Sequence, residues 1–464
     1  MAAAFEPDWP ASQPSNDVAS LSVGFSRPLT TFLRIVIVAQ ILAIITFGSI
    51  TIEKYPLWSL VDEGAHFDNI EYIAQHHSLP VLGKVFATQQ ELAIGQGIYP
   101  KHSNIDPKTS GLPGLAYEAF QPPLYYLVAT PFYFLNGNFH SKAIILRFLG
   151  LGLLVVSIAL LARLSRHVLK QRWLLGLGGG LLIFLMPGII TRSVTISNFN
   201  LALPLVIAAV TEMWIAWERR SSNRLITGGF LVGCGVLTDL YLAELVPVFL
   251  ALAAVLFLGS KDRGNHLRCA IAVGLAAIVT LPWFIFNEIE YHALTASDLA
   301  KREQLHIVNP QHLHFGLGQL PGLTVQTLFN PLLPQEWSHY LDGSNLLAYG
   351  ATIFQVLIVP AAIVLAVALG RRILTTGFWL LLLPFLCNLA LCWYIDYGQQ
   401  WESGSMVGRY VYPTLPILAI FIVGAATQYV RSARTWATLF VVTTAFLIVV
   451  WVHIIPMIPK TAIS

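Results

Sequence analysis

Apolar stretches of about 20 residues, the length of one helix across a bilayer, recur from Thr31 to Pro456 with clusters of basic residues between them. The clusters are Arg27 and Arg34; Arg163, Arg166, Lys170 and Arg172; Arg219, Arg220 and Arg224; Lys261, Arg263 and Arg268; Arg371 and Arg372; and Arg431 and Arg434. Basic residues collect on the cytoplasmic side of a membrane protein. Spacing the apolar runs by these clusters predicts helices near 31–52, 143–162, 174–191, 201–217, 225–238, 241–259, 269–286, 348–370, 376–395, 409–429 and 435–455. The chain therefore reads as an all-α, polytopic transmembrane helix bundle of about 11 spans, N-terminus inside and C-terminus outside.

One apolar run does not fit as a span. Pro122 to Leu135 (PPLYYLVATPFYFL) is too short to cross and is expected against the outer leaflet. Two external loops remain, roughly 53–142 and 287–347, with a shorter one around 396–408. In the first, Phe67, Ile70, Ile73, Ala74 and His77 recur at helical spacing, with Asp68, Glu71 and Gln75 on the other face. That pattern predicts a helix lying in the membrane interface, opened by Asp62-Glu63. The stretch 83–113 is rich in Gly, Pro, Asn and Lys without periodicity, as in a loop that covers something.

Composition agrees with this pattern. Of 464 residues, 56% are hydrophobic and 11% charged, which is too apolar for an ordinary soluble domain. The net charge of +3 gives no reason to expect nucleic acid as a partner. The four cysteines lie in or beside apolar stretches and read as packing residues. The first basic residue is Arg27, so residues 1–30 lack the start of a signal peptide. They are expected to form a cytoplasmic tail preceding a single membrane domain over 31–464.

This topology brings Asp62, Glu63, His66, Glu118, Arg192, Asn198, Asn200, Asp239, Glu244, Asp396, Glu402 and Arg409 to the outer side. Ionisable groups near membrane depth are costly and tend to be functional, although acids at loop ends also simply solvate the chain. Asp62 and Glu63 sit where a carboxylate caps a helix N-terminus. Adjacent helical residues do not face each other, so the two fit one catalytic group with an orienting neighbour better than the opposed pair of a glycosidase.

Four blocks carry a resemblance. Asp62-Glu63-Gly-Ala-His66-Phe67 with Leu79-Pro80 resembles a D-E-x-x-H-F block, and Glu118-Ala-Phe-Gln121-Pro122-Pro123-Leu124-Tyr125-Tyr126 resembles a Q-P-P-L-Y-Y block. Pro282-Trp283-Phe-Ile-Phe-Asn287 with Tyr291 is similar to W-x-x-R-N-x-x-x-Y, and Gly408-Arg409-Tyr410 with Pro413 and Pro416 to G-R-Y-x-x-P. In this order the blocks resemble the multi-spanning GT-C glycosyltransferases, in particular bacterial membrane glycosyltransferases related to the protein mannosyltransferases and the lipid A aminoarabinose transferase. Phe286 stands where an Arg is common, Phe120 where a His is frequent, Thr238-Asp239 where Thr-Lys is usual, and Phe199 or Asn200 in place of an Asp.

The resemblance implies an integral protein of the bacterial cytoplasmic membrane. It implies transfer of a sugar from a polyprenyl-phosphate donor to a lipid, glycan or other cell-envelope acceptor at the outer face, with inversion. A base must then take the acceptor proton, for which Asp62 is the first choice, with Glu63 as orienting group or second candidate. The leaving phosphate calls for a cation, with Arg409 first and Arg192 second. His66, Glu118, Gln121, Pro122, Tyr125, Tyr126 and Asp239 are expected along the substrate and lipid groove. A divalent cation, magnesium or manganese, has candidate ligands in Asp62, Glu63, His66, Asp239 and Glu244, though no spacing demands one.

Two other classes stay open: a polytopic lipid or glycan transporter or flippase, and a non-catalytic subunit of an envelope-biogenesis complex. A transporter binds near the midplane. Here Glu212 is the only acid expected well inside a span.

Overall fold

In a computed structural model, residues 26–58, 62–84, 117–295, 346–399, 410–430 and 432–457 are described. Among them the chain is helical, with no strand. The helices are α1 (Arg27–Lys54), α2 (Glu63–His76), α3 (Leu124–Tyr133), α4 (Phe139–Leu169), α5 (Trp173–Phe184), α6 (Pro187–Ser193), α7 (Phe199–Arg219), α8 (Ser222–Val236), α9 (Leu245–Leu258), α10 (Arg263–Tyr291), α11 (Leu346–Leu369), α12 (Arg372–Thr376), α13 (Trp379–Gln399), α14 (Leu415–Ala426) and α15 (Ala433–Ile454). By length and composition, six helical stretches among the described residues can cross a membrane: Arg27–Lys54, Phe139–Phe184, Phe199–Arg219, Leu240–Leu258, Arg263–Tyr291 and Arg434–Ile454. The protein is a polytopic membrane helix bundle, as the apolar runs predict.

The boundaries follow local chemistry. Pro28 occupies the first turn of α1, where its missing N–H costs nothing. Asn138, Asp262 and Ser432 each accept a backbone N–H at the starts of α4, α10 and α15. The run expected as one helix over 174–191 is divided, because Pro187 cannot continue α5 and instead begins α6. The expected helix over 241–259 opens with a 3-10 turn at Leu240–Glu244, and that over 409–429 is regular only from Leu415.

Among the described residues the main apolar core draws on α1, α4, α5, α7, α9, α13, α14 and α15, and a second cluster joins α2, α3 and the start of α4. Close helix contacts are set by glycines. A Cβ on Gly229 of α8 would lie 2.2 Å from the Ala272 carbonyl of α10, and one on Gly150 of α4 would lie 2.3 Å from the Ser193 carbonyl and 2.5 Å from Asn200 Nδ2. Polar ties also cross the main core. Gln40 Nε2 donates to Thr444 Oγ1 at 2.9 Å, and Trp451 Nε1 donates to the Leu185 carbonyl at 2.8 Å.

The segment kept out of the span count is α3. It is ten residues long, packs against α2 and α4, and exposes Leu127 and Val128, with Phe134 and Leu135 exposed just past its end. Helix α2 departs from its expected two faces. Phe67, Ile70, Ile73 and Ala74 are buried as predicted, but Asp68 and Asn69 are buried too, because the 3-10 turn Tyr117–Phe120 and α3 both pack on this helix. His77, placed on the apolar face by its spacing, is exposed: with φ of 53° it takes the left-handed conformation that ends α2.

Candidate active site

Asp62 and Glu63 have opposite surroundings, and the backbone between them is the reason. Asp62 precedes α2 with φ of 70°, a left-handed conformation that Asp tolerates better than most residues. Its side chain makes no capping bond to the helix, so the capping explanation for this acid does not hold. Instead Asp62 lines a cavity together with His66, Glu118, Gln121, Arg192, Asn198, Phe199, Asp239, Tyr241, Leu242, Tyr410 and Pro413.

Glu63 is fully buried and turned into the protein. Arg147 of α4 donates to it in a forked pair, Nε to Oε1 at 2.7 Å and Nη2 to Oε2 at 2.6 Å. The backbone N–H groups of Trp58 (3.1 Å) and Ile196 (3.3 Å) complete its shell. Arg147 is 1% exposed and also donates to the carbonyls of Ile52, Tyr55 and Pro56 at 3.3, 2.6 and 3.0 Å. One ion pair thus joins the end of α1, the start of α2, α4 and the turn before α7. Both Glu63 oxygens are so engaged, and Glu63 is not among the residues lining the cavity.

The remaining walls are held from behind. His66 Nδ1 and the Tyr126 hydroxyl are 2.8 Å apart, and the backbone N–H of Ser197 donates to the Tyr125 hydroxyl at 3.2 Å. Burial pushes both phenols above their ordinary range. Asn198 Nδ2 donates to Gln121 Oε1 at 3.3 Å, and Gln121 Nε2 donates to Glu118 Oε2 at 2.7 Å. Asn69 donates to the Glu118 carbonyl at 2.9 Å, so the Gln121-Pro122-Pro123 turn is braced from α2 and from the start of α7. The Leu124 N–H donates to the Leu237 carbonyl at 2.9 Å, tying α3 to the end of α8. Pro122, Tyr125 and Tyr126 are buried behind this wall. Asp239 caps the 3-10 turn before α9 by accepting from the Tyr241 N–H at 3.0 Å. The ring of Tyr241 stacks on Tyr410 with centroids 3.6 Å apart.

Of the residues singled out from the sequence, Asp62, His66, Glu118, Gln121, Arg192 and Asp239 meet at the cavity. Arg409, Glu402 and the 83–113 cover beyond Lys84 lie outside the described residues, though Tyr410, next in chain to Arg409, is on the cavity wall. Glu244 is buried and accepts from Asn388 Nδ2, which also donates to the Tyr410 carbonyl at 3.1 Å. Asn200 supports the fold by donating to the Thr195 carbonyl at 2.6 Å. Phe286, where an Arg is common in the resembling blocks, packs with Tyr291, Leu82 and Phe120; the Tyr291 hydroxyl accepts the Leu82 N–H at 3.0 Å. Among the described residues, no three His, Cys, Asp or Glu side chains form a metal-holding group. Of the five proposed metal ligands, Glu63 is committed to Arg147, while Asp62, His66 and Asp239 reach the cavity.

Arg147 is the residue that sequence reading missed. Its signal was present: a lone arginine within an apolar run, which in a membrane demands a partner.

No family model matches the chain, and no curated protein matches it. Among solved structures, it is similar to the Archaeoglobus fulgidus oligosaccharyltransferase in complex with zinc and sulfate, with 14% identity over 92% of this chain and 53% of that one and a TM-score of 0.48. It is similar to the AglB oligosaccharyltransferase of the same organism in complex with an inhibitory peptide and a dolichol-phosphate (12% identity, 94% and 57% coverage, TM-score 0.47). It is also similar to ArnT from Cupriavidus metallidurans bound to undecaprenyl phosphate (13% identity, 85% and 78% coverage, TM-score 0.37). The chain spans about half the length of the archaeal oligosaccharyltransferase.

Proposed function

We propose that this protein is an inverting glycosyltransferase that moves a sugar from a polyprenyl-phosphate donor to a hydroxyl of a cell-envelope acceptor at the outer face of the membrane. The observation that carries the reading is the division of labour between adjacent acids: Asp62 lines the cavity while Arg147 holds Glu63 away from it. Asp62 takes the acceptor proton as the new glycosidic bond forms. Arg192, on the same cavity wall, stabilises the negative charge gained by the departing polyprenyl phosphate, with Arg409, next in chain to the cavity-lining Tyr410, as the other candidate cation. Glu63 orients the Asp62 turn.

The cavity is built from helix ends, namely the starts of α2 and α7, the end of α6 and the turn before α9. That placement favours chemistry at one membrane surface over a pathway through the midplane. Glu212, the acid inside a span, is paired with Arg163 and Arg224 and does not line the cavity. The resemblance of the four sequence blocks supports the donor class, the bacterial cytoplasmic membrane and the outward orientation.

The test is transfer by purified protein given polyprenyl-phosphate sugars and a hydroxyl acceptor. Asp62→Asn is expected to lose transfer by about 10²-fold or more with unchanged folding. Full activity in that variant would remove Asp62 as the base. An unaltered protein inert with every carrier tested would overturn the enzyme reading.

A further inference from the structure

At the opposite end of the same helices lies a second charged region that the transfer reaction does not use. Arg147 and Arg163 are both on α4, 16 residues and therefore about 24 Å apart along its axis. The stretches 163–172 and 212–224 carry seven Lys or Arg and two Glu. Glu212 of α7, with a side chain 4% exposed, is clamped between Arg163 of α4 at 2.5 Å and Arg224 of α8 at 3.3 Å. Each of these arginines remains 43% exposed and gives Glu212 one of its guanidinium nitrogens. The second acid, Glu218, is shared by Lys170 and His167.

The exposed N–H groups left on each arginine can donate to a further anion. Two arginines of this region stack on tryptophans, one of which marks its depth relative to lipid. The guanidinium of Arg166 lies 4.3 Å from the Trp173 ring centre, and that of Arg220 lies 4.0 Å from that of Trp217. Trp173 is partly exposed, as a tryptophan at headgroup level is, while Trp217 is buried and holds Arg220 against the bundle. An excess of positive charge at that depth, on helices that expose Phe148, Val155 and Val156 of α4 and Phe230 of α8, matches the phosphate of a lipid in the adjoining leaflet.

We propose that this array is a binding site for acidic phospholipid head groups in the leaflet opposite the cavity, with Arg163 and Arg224 as its fixed centre and Arg166, Lys170 and Arg219 as its rim. Positive-inside bias makes this the cytoplasmic leaflet. The site holds the bundle in register with the membrane independently of the transfer reaction.

The full chain is reconstituted in phosphatidylcholine with and without phosphatidylglycerol, and the lipids retained per chain are counted by native mass spectrometry. Phosphatidylglycerol is expected to be retained in preference to phosphatidylcholine. The variant Arg166→Gln, Lys170→Gln, Arg219→Gln leaves the Glu212 clamp intact and is expected to weaken that preference about 100-fold, or about fivefold per charge, equivalent to about 1 kcal/mol each. The charge-conserving set Arg166→Lys, Lys170→Arg, Arg219→Lys retains the preference. Equal retention of both lipids, or an unchanged preference in the glutamine variant, would overturn the proposal. So would equal protection against heat by inorganic phosphate, which would identify a free anion as the occupant. Should the glutamine variant not fold, added salt must lower phosphatidylglycerol retention by the unaltered chain; retention insensitive to salt refutes the site.

Discussion

Replacing Arg147 with methionine is expected to cost the protein more stability than any other single change at the site. The side chain is 1% exposed and forms two hydrogen bonds to Glu63 and three to backbone carbonyls. Methionine fills similar volume, so the loss is electrostatic and not a cavity. A buried carboxylate left without its partner costs about 3–5 kcal/mol, and each orphaned buried carbonyl adds about 1–3 kcal/mol less whatever water recovers. Against a usual stability of about 5–15 kcal/mol, the variant should be marginal. Glu63→Leu alone leaves the guanidinium buried and is expected to be nearly as damaging. The double variant Glu63→Leu, Arg147→Met removes both charges and leaves unserved the three carbonyls and the N–H groups of Trp58 and Ile196, so it should still recover several kcal/mol over the sum of the singles. Chemical unfolding in detergent, followed by near-ultraviolet circular dichroism, measures all four proteins. Additive single effects, or a methionine variant within about 1 kcal/mol of the unaltered chain, would refute the reasoning.

Other outcomes follow from the same geometry. Arg192→Gln should reduce transfer by about 10²–10³-fold, a loss seen in kcat if the cation serves the departing phosphate; a change confined to acceptor KM would contradict that role. Gly150→Ala puts a methyl 2.3 Å from the Ser193 carbonyl and should destabilise by about 1–3 kcal/mol, as should Gly229→Ala against Ala272, both read as lower thermal midpoints. Tyr125 and Tyr126 are raised above the ordinary phenol value of 10.0 by burial. Their contribution to stability is complete below pH 10 and is lost as pH climbs from there toward their folded values, because the unfolded phenols ionise first. Absorbance at alkaline pH should therefore show these two phenolates appearing together with unfolding, and Tyr126→Phe should remove part of that alkaline slope.

Much of the bundle was legible in the sequence because hydrocarbon imposes a length and a composition on every spanning helix. Run length separated the ten-residue α3 from true spans, and helical spacing found α2. The polar set at the cavity was legible for a related reason: acids and histidine beside apolar runs are costly, so Asp62, His66, Glu118, Arg192 and Asp239 stood out before any coordinates. What periodicity could not show was which neighbour would cover each face, and hence Asp68 is buried and His77 exposed.

Tertiary structure alone separated Asp62 from Glu63. Two adjacent carboxylates are equivalent in a linear pattern, and each was a candidate base. They part because Asp62 takes a left-handed backbone conformation before α2, and because a guanidinium 84 residues further along the chain reaches Glu63 from α4. The first is a backbone dihedral that residue type alone does not dictate, and the second is a contact between segments far apart in sequence, which no linear pattern contains.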